Sequence, residues 1–79
     1  MQMSLPEAIK NMRMKALLSQ ESLAEALQVS VGTINRWENG KTRPNITAMK
    51  HIKEFCTDNG LPYEEIEENW LLAGLGEKK

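Results

Sequence analysis

Residues 19–44 read SQESLAEALQVSVGTINRWENGKTRP. Ser19 sits where a helix wants an N-cap, and Glu21 and Ser22 follow in the first turn, where negative charge suits the helix dipole. Leu23, Ala24 and Leu27 then recur at helical spacing and predict one buried stripe. Ala24 is small, as a close crossing of two helices demands. Gln28 and Val29 make a turn, and Ser30 is a second N-cap. Asn39-Gly40 is a strong stop signal. Lys41-Thr42-Arg43-Pro44 does not extend the helix easily, because the residue before Pro disfavours α geometry. The stretch therefore predicts two short amphipathic helices, a tight turn and a basic loop.

Upstream, Ser4-Leu5-Pro6-Glu7 is a capping box with Pro in the first turn, where its missing N–H costs nothing. Leu5, Ile9, Met12 and Ala16 continue at helical spacing, and Leu17-Leu18 close the segment. Downstream, Asn45 is expected to cap a fourth helix with an apolar stripe of Ile46, Met49, Ile52, Phe55 and Cys56, ended by Asn59-Gly60. Leu61-Pro62 opens a fifth element, with Tyr63, Ile66, Trp70 and Leu71 expected to lie inward. Gly74 and Gly76 are expected to loosen its end, giving a frayed tail over about 74–79.

The chain has 79 residues, one small domain's worth. A domain of that size buries only about 60–65 % of its unfolded surface, so the core must be well capped. Phe and Tyr occur once each and Trp twice; aliphatic residues, Met and Ala supply the remaining core and favour helices. No apolar run approaches the roughly 18–20 residues that span a membrane. The segment MQMSLPEAIK lacks the pattern of a signal peptide. Cys56 is alone, which excludes an internal disulfide and a thiol zinc site. A cytoplasmic location and no cofactor are expected.

The net charge of −1 is unequally distributed. Residues 1–50 carry seven Lys/Arg and four acids, and residues 51–79 carry three Lys and seven acids. One part can meet phosphate while the acidic part faces away; the alternative is ordinary solvated helix faces.

On a wheel at about 100° per residue, with Ile34 inward, Trp37 lies about 60° to one side and Glu38 about 40° to the other. Gly32 and Arg36 point outward, Asn35 and Asn39 lie on the outward flank, and Val31 is at the boundary. Glu38 therefore needs a partner, and Arg13 is the candidate; otherwise Glu38 sits at the edge in water. The outward face offers Val31, Gly32, Asn35 and Arg36. Arg pairs bidentately with guanine, Asn pairs with adenine, and an apolar group meets the thymine methyl. A helix-interior Gly costs about 1 kcal/mol relative to Ala, and close groove approach is one reason to keep it. Ser19, Gln20, Ser30, Asn39, Lys41, Thr42 and Arg43 flank that face as donors suited to phosphate contacts, which fix register without reading sequence.

These residues resemble the helix-turn-helix domains of lambdoid phage repressors and Cro proteins, the XRE family of bacterial regulators. Gln20, Leu23-Ala24, Leu27, Val29-Ser30, Ile34, Trp37-Glu38, Asn39-Gly40 and Pro44 carry the resemblance. It extends to Arg13 upstream and to Trp70-Leu71-Leu72 downstream. It implies an all-α, repressor-like bundle of about five helices, spanning 1–79 as a single domain, with the helix-turn-helix at 19–39 in helices 2 and 3. It implies a phosphate contact from Gln20, base-edge contacts from Val31, Gly32 and Arg36, an Arg13–Glu38 ion pair, and backbone contacts over 39–43. Two departures stand out. The family usually has Gly where this chain has Gln28, and a left-handed Gln costs roughly 1 kcal/mol or more, so the turn is expected to differ slightly. Val31 and Gly32 are often polar in the family, which leaves most hydrogen-bonding specificity to Arg36 and Asn35 and implies either modest sequence discrimination or a larger share of shape readout.

The expected function is a sequence-specific, bacterial or phage-encoded transcriptional regulator, a repressor binding double-stranded DNA at a near-palindromic operator as a homodimer. A C-terminal dimer interface near residues 66–75 is one use for Trp70 and the paired leucines; closing the monomer core is the other. The alternative is a DNA-binding antitoxin whose acidic C-terminal segment grips a protein partner. An enzyme is not expected: His51 and Cys56 form no catalytic arrangement, His51 reads as a helix-surface residue, and Glu64-Glu65-Ile66-Glu67-Glu68 reads as a solvated face.

Overall fold

Side-chain caps divide the chain into helices at the places where the backbone must be released. In a computed structural model, which describes residues 3–76, the order is α1 (Leu5–Lys15), α2 (Gln20–Leu27), α3 (Val31–Glu38), α4 (Ile46–Asp58) and α5 (Glu64–Gly76). There is no strand among the described residues, and the fold is an all-α bundle. Ser4, Ser19, Ser30 and Asn45 each turn a side-chain oxygen onto a backbone N–H in the first turn of the helix they cap. Ser4 and Glu7 complete the capping box reciprocally, at 3.3 and 3.0 Å.

The four helix ends also share one device. Leu18, Val29, Lys41 and Leu61 return their N–H groups five residues back, to Arg13, Ala24, Arg36 and Cys56 carbonyls. The residue before each is left-handed: Leu17 at φ 60°, Gln28 at 61°, Gly40 at 75° and Gly60 at 66°. This is the Schellman motif, which satisfies carbonyls a helix end otherwise leaves orphaned. Gly40 and Gly60 adopt it without steric cost, whereas Leu17 and Gln28 carry a side chain into it. Gln28 thus takes the glycine-type turn that its identity argued against.

The core is built from Leu5, Ala8, Ile9 and Met12 of α1, Leu23, Ala24 and Leu27 of α2, Ile34 and Trp37 of α3, Ala48, Met49, Ile52 and Cys56 of α4, and Ile66 of α5. α2 packs on α3 and α4, and α1 packs on α3 and α5. Several inward assignments need correction. Ile46 is 65 % exposed because the first helical residue of α4 projects beyond its packed face. Ala16 is the C-cap of α1 and only half-buried. Leu71 is 56 % exposed, and Asn69 is buried on α5, its amide donating to the Glu65 carbonyl at 2.7 Å. The expected loosening at Gly74 and Gly76 does not occur, since α5 continues through both. The remainder of the expected tail, 77–79, lies outside the described residues.

Candidate nucleic-acid interface

The recognition face begins with how α3 is held. Ile34 and Trp37 are buried, so the opposite side of this short helix is turned to solvent. Glu38 is the charge on the inward flank, with its side chain only 4 % exposed. It accepts from Arg13 Nε at 2.7 Å, from Arg13 Nη2 at 3.0 Å and from Gln20 Nε2 at 3.1 Å. Arg13 Nη1 also donates to the Leu18 carbonyl at 3.0 Å. One carboxylate therefore joins α1, the start of α2 and the end of α3, with a bidentate, charge-assisted pair as its strongest member. The bond to Glu38 raises the already high pKa of Arg13, partly opposed by burial.

Val31, Asn35 and Arg36 are exposed and Gly32 is half-buried. Arg36 folds back along its own helix. Its Nη2 lies 3.4 Å from Thr33 Oγ1, and its Nη1 lies 3.4 Å from where a Cβ on residue 32 would stand. A Cβ on residue 32 would make only ordinary van der Waals contact with the guanidinium. Asn39 Nδ2 donates to the Asn35 side-chain oxygen at 3.1 Å and to its carbonyl at 2.9 Å, so two outward amides brace each other.

The flanking donors are arranged unequally. Ser19 and Ser30 spend their oxygens on capping, accepting from Ser22 N and Thr33 N at 3.1 Å each. Lys41 and Thr42 are exposed in the loop after α3. Gln20 is half-buried with its amide nitrogen on Glu38. Arg43 is drawn inward: its guanidinium carbon lies 4.6 Å from the Trp70 ring centroid, and Nη1 donates to the Trp70 carbonyl at 3.1 Å. Sequence reasoning missed this pairing, since nothing local links residues 27 positions apart.

It also misread His51. The ring is half-buried, and Nδ1 is 3.1 Å from the Leu27 carbonyl, where it caps the last residue of α2 beside the turn. Cys56 is buried, with its thiol 3.5 Å from Met12 Sδ, and burial pushes its pKa up to about 11, with Glu64 adding to the effect. It packs as a small apolar group.

Two short helices crossing over a shared apolar seam, the second anchored by Ile34, Trp37 and Glu38 with a polar face turned outward, define a helix-turn-helix domain. A family model described as helix-turn-helix matches residues 9–56. The chain belongs to the XRE-type helix-turn-helix family of DNA-binding regulators. It is similar to the HTH-type transcriptional activator BcrR of Enterococcus faecalis, 42 % identical over 53 residues. That match covers 67 % of this chain and 26 % of the relative, so the chain spans about a quarter of that protein's length. No solved structure matches the chain. Among the described residues no helix is long and apolar enough to cross a membrane.

Proposed function

We propose that this chain is a transcriptional regulator that binds double-stranded DNA by laying α3 in the major groove. The observation that carries the reading is the sidedness of α3, with Ile34, Trp37 and the Glu38 ion pair on one side and Val31, Gly32, Asn35 and Arg36 on the other. Arg36 reads guanine after unfolding from Thr33, Asn35 serves adenine, and Val31 meets a thymine methyl. Gly32 keeps the backbone close to the groove floor. Lys41 and Thr42, exposed after α3, hold phosphates and set the register, joined by Gln20 and Asn39 when their amides turn from Glu38 and Asn35, while Ser19 and Ser30 stay as helix caps.

Two copies binding half-sites about one helical turn apart match the symmetry such domains use. Leu71, Leu72 and Leu75 are exposed on α5 and supply apolar surface for that pairing. Occupying an operator that overlaps a promoter represses it. The name of the relative, a transcriptional activator, favours activation as a second output from the same DNA contact.

Enrichment of bound duplexes from a random pool, followed by gel shifts at two salt concentrations, tests the reading. The enriched sites are expected to be two-fold symmetric, with affinity falling steeply as salt rises. Arg36→Ala is expected to cost about 1–3 kcal/mol of binding and to relax preference at one base position per half-site. Unchanged affinity and unchanged preference in that variant sink the assignment.

A further inference from the structure

We infer that Arg43 is a positioning residue that latches the loop after α3 to the C-terminal half of α5, rather than a side chain that binds phosphate directly. Four observations meet at this point. The guanidinium lies over the Trp70 ring, 4.6 Å from its centroid. Its Nη1 donates to the Trp70 carbonyl at 3.1 Å. The Trp70 indole Nε1 donates in return to the carbonyl of Pro44 at 2.6 Å. Residue 74 is glycine, and a Cβ there would stand 2.9 Å from Arg43 Nη2 and 3.2 Å from its Cζ.

The planar fork of Arg, which stacks and donates at once, suits this geometry, and the ammonium of Lys does not. Gly74 explains itself here. It lies inside a helix, where glycine is a poor former, and the space it leaves is filled by the guanidinium. The latch fixes residues 43 and 44 and so orients Lys41 and Thr42, which stand exposed immediately before them. It also ties the loop to the segment of α5 that carries exposed Leu71, Leu72 and Leu75. A contact made there bears on the loop through Trp70. The consequence for DNA rests on the function proposed above, whereas the latch itself does not.

Gly74→Ala is the decisive variant, because it removes no donor and no charge and places a better helix former in α5. In the DNA-free chain, NMR reads the assigned Trp70 indole N–H. The expected result is a shifted resonance and faster exchange of that proton in Gly74→Ala and Arg43→Lys, with helical content retained. An indole signal identical to wild type in both variants overturns the latch. On a duplex enriched by the wild-type chain, both variants are expected to bind about fivefold or more weakly, uniformly across sequences, because the loop meets backbone and not bases. The double variant is expected to bind no more weakly than Arg43→Lys alone. Wild-type affinity in Gly74→Ala, or losses that add in the double variant, overturns the positioning role. A wild-type chain that binds no duplex overturns the DNA reading instead, and the NMR arm still decides the latch.

Discussion

Glu38 ties the end of α3 to α1 and to the start of α2. Its carboxylate is almost fully enclosed and takes three donor bonds from Arg13 and Gln20. Replacing it by Ala leaves a half-buried guanidinium without its counter-charge, a change that costs about 3 kcal/mol in comparable pairs. A domain this small loses about 4–8 °C of melting temperature per kcal/mol, so Glu38→Ala is expected to melt at least about 10 °C below wild type. Arg36→Ala, at an exposed position, is expected to leave the melting temperature within a few degrees. A thermal scan of the two variants separates residues that build the interface from one that uses it. Cys56 gives a residue-scale prediction in pH. Its folded-state pKa is raised from 9.0 to about 11, so the folded state retains a proton that the unfolded chain loses first. The stability it contributes is complete below about pH 9 and is lost as pH rises through 11. Tyr63, raised above its ordinary 10.0 by burial and then by Glu67, acts in the same sense. The fall in melting temperature between pH 9 and 11 is expected to be shallower in Cys56→Ala than in wild type; equal slopes refute the assignment.

At the scale of elements, four helices start on a side-chain cap and stop on a left-handed residue. The caps and both glycine stops were legible because each is a local hydrogen-bonding rule written in adjacent residues. The other two stops were not, since Leu17 and Gln28 carry no mark of the left-handed region. Tertiary packing sets those two turns: the next helix must cross back over the core, and the peptide chain has only four or three residues in which to reverse. Leu17 is 91 % exposed, so its side chain gives nothing to the core while its backbone is strained. Leu17→Gly is expected to stabilise the domain by about 0.5–1 kcal/mol, the left-handed penalty removed less the added freedom of the unfolded chain. Chemical denaturation is the check: a lowered midpoint at unchanged m-value contradicts the strain argument.

Across the whole molecule, charge and shape are arranged along α5. Its first turn carries Glu64, Glu65 and Glu67, where the helix dipole favours them. Its far end meets Arg43 at Trp70 and Gly74. Six residues separate Glu64 from Trp70 and ten separate it from Gly74, which at 1.5 Å each is about 9–15 Å, one to two Debye lengths at physiological salt. The acidic segment therefore stands off from the loop that carries Lys41, and the net negative charge of the chain is no obstacle to binding phosphate. Neutralising Glu64 and Glu65 together to Gln is expected to change DNA affinity less than about twofold at 0.15 M salt, and more at low salt, where screening weakens. A large effect at 0.15 M places those acids nearer the DNA than α5 allows.

The sequence by itself determined the all-α class, the caps, the two helices of the motif and the side of α3 that faces out. Each rests on a periodicity or a bond between residues no more than a few positions apart. It also supplied Arg13 as partner to Glu38, because a charge on an inward flank has few ways to be satisfied. Only the tertiary structure decided which of the flanking donors remain available. Arg43 reads as one more basic residue in a basic loop until α5 packs beside it, and His51 reads as a surface residue until the end of α2 presents its carbonyl. Leu71, expected inward, is exposed for the same reason: α5 meets the bundle along a face set by α1 and by Trp70. Contacts of that kind join residues more than twenty positions apart, and their geometry exists only after the chain has folded.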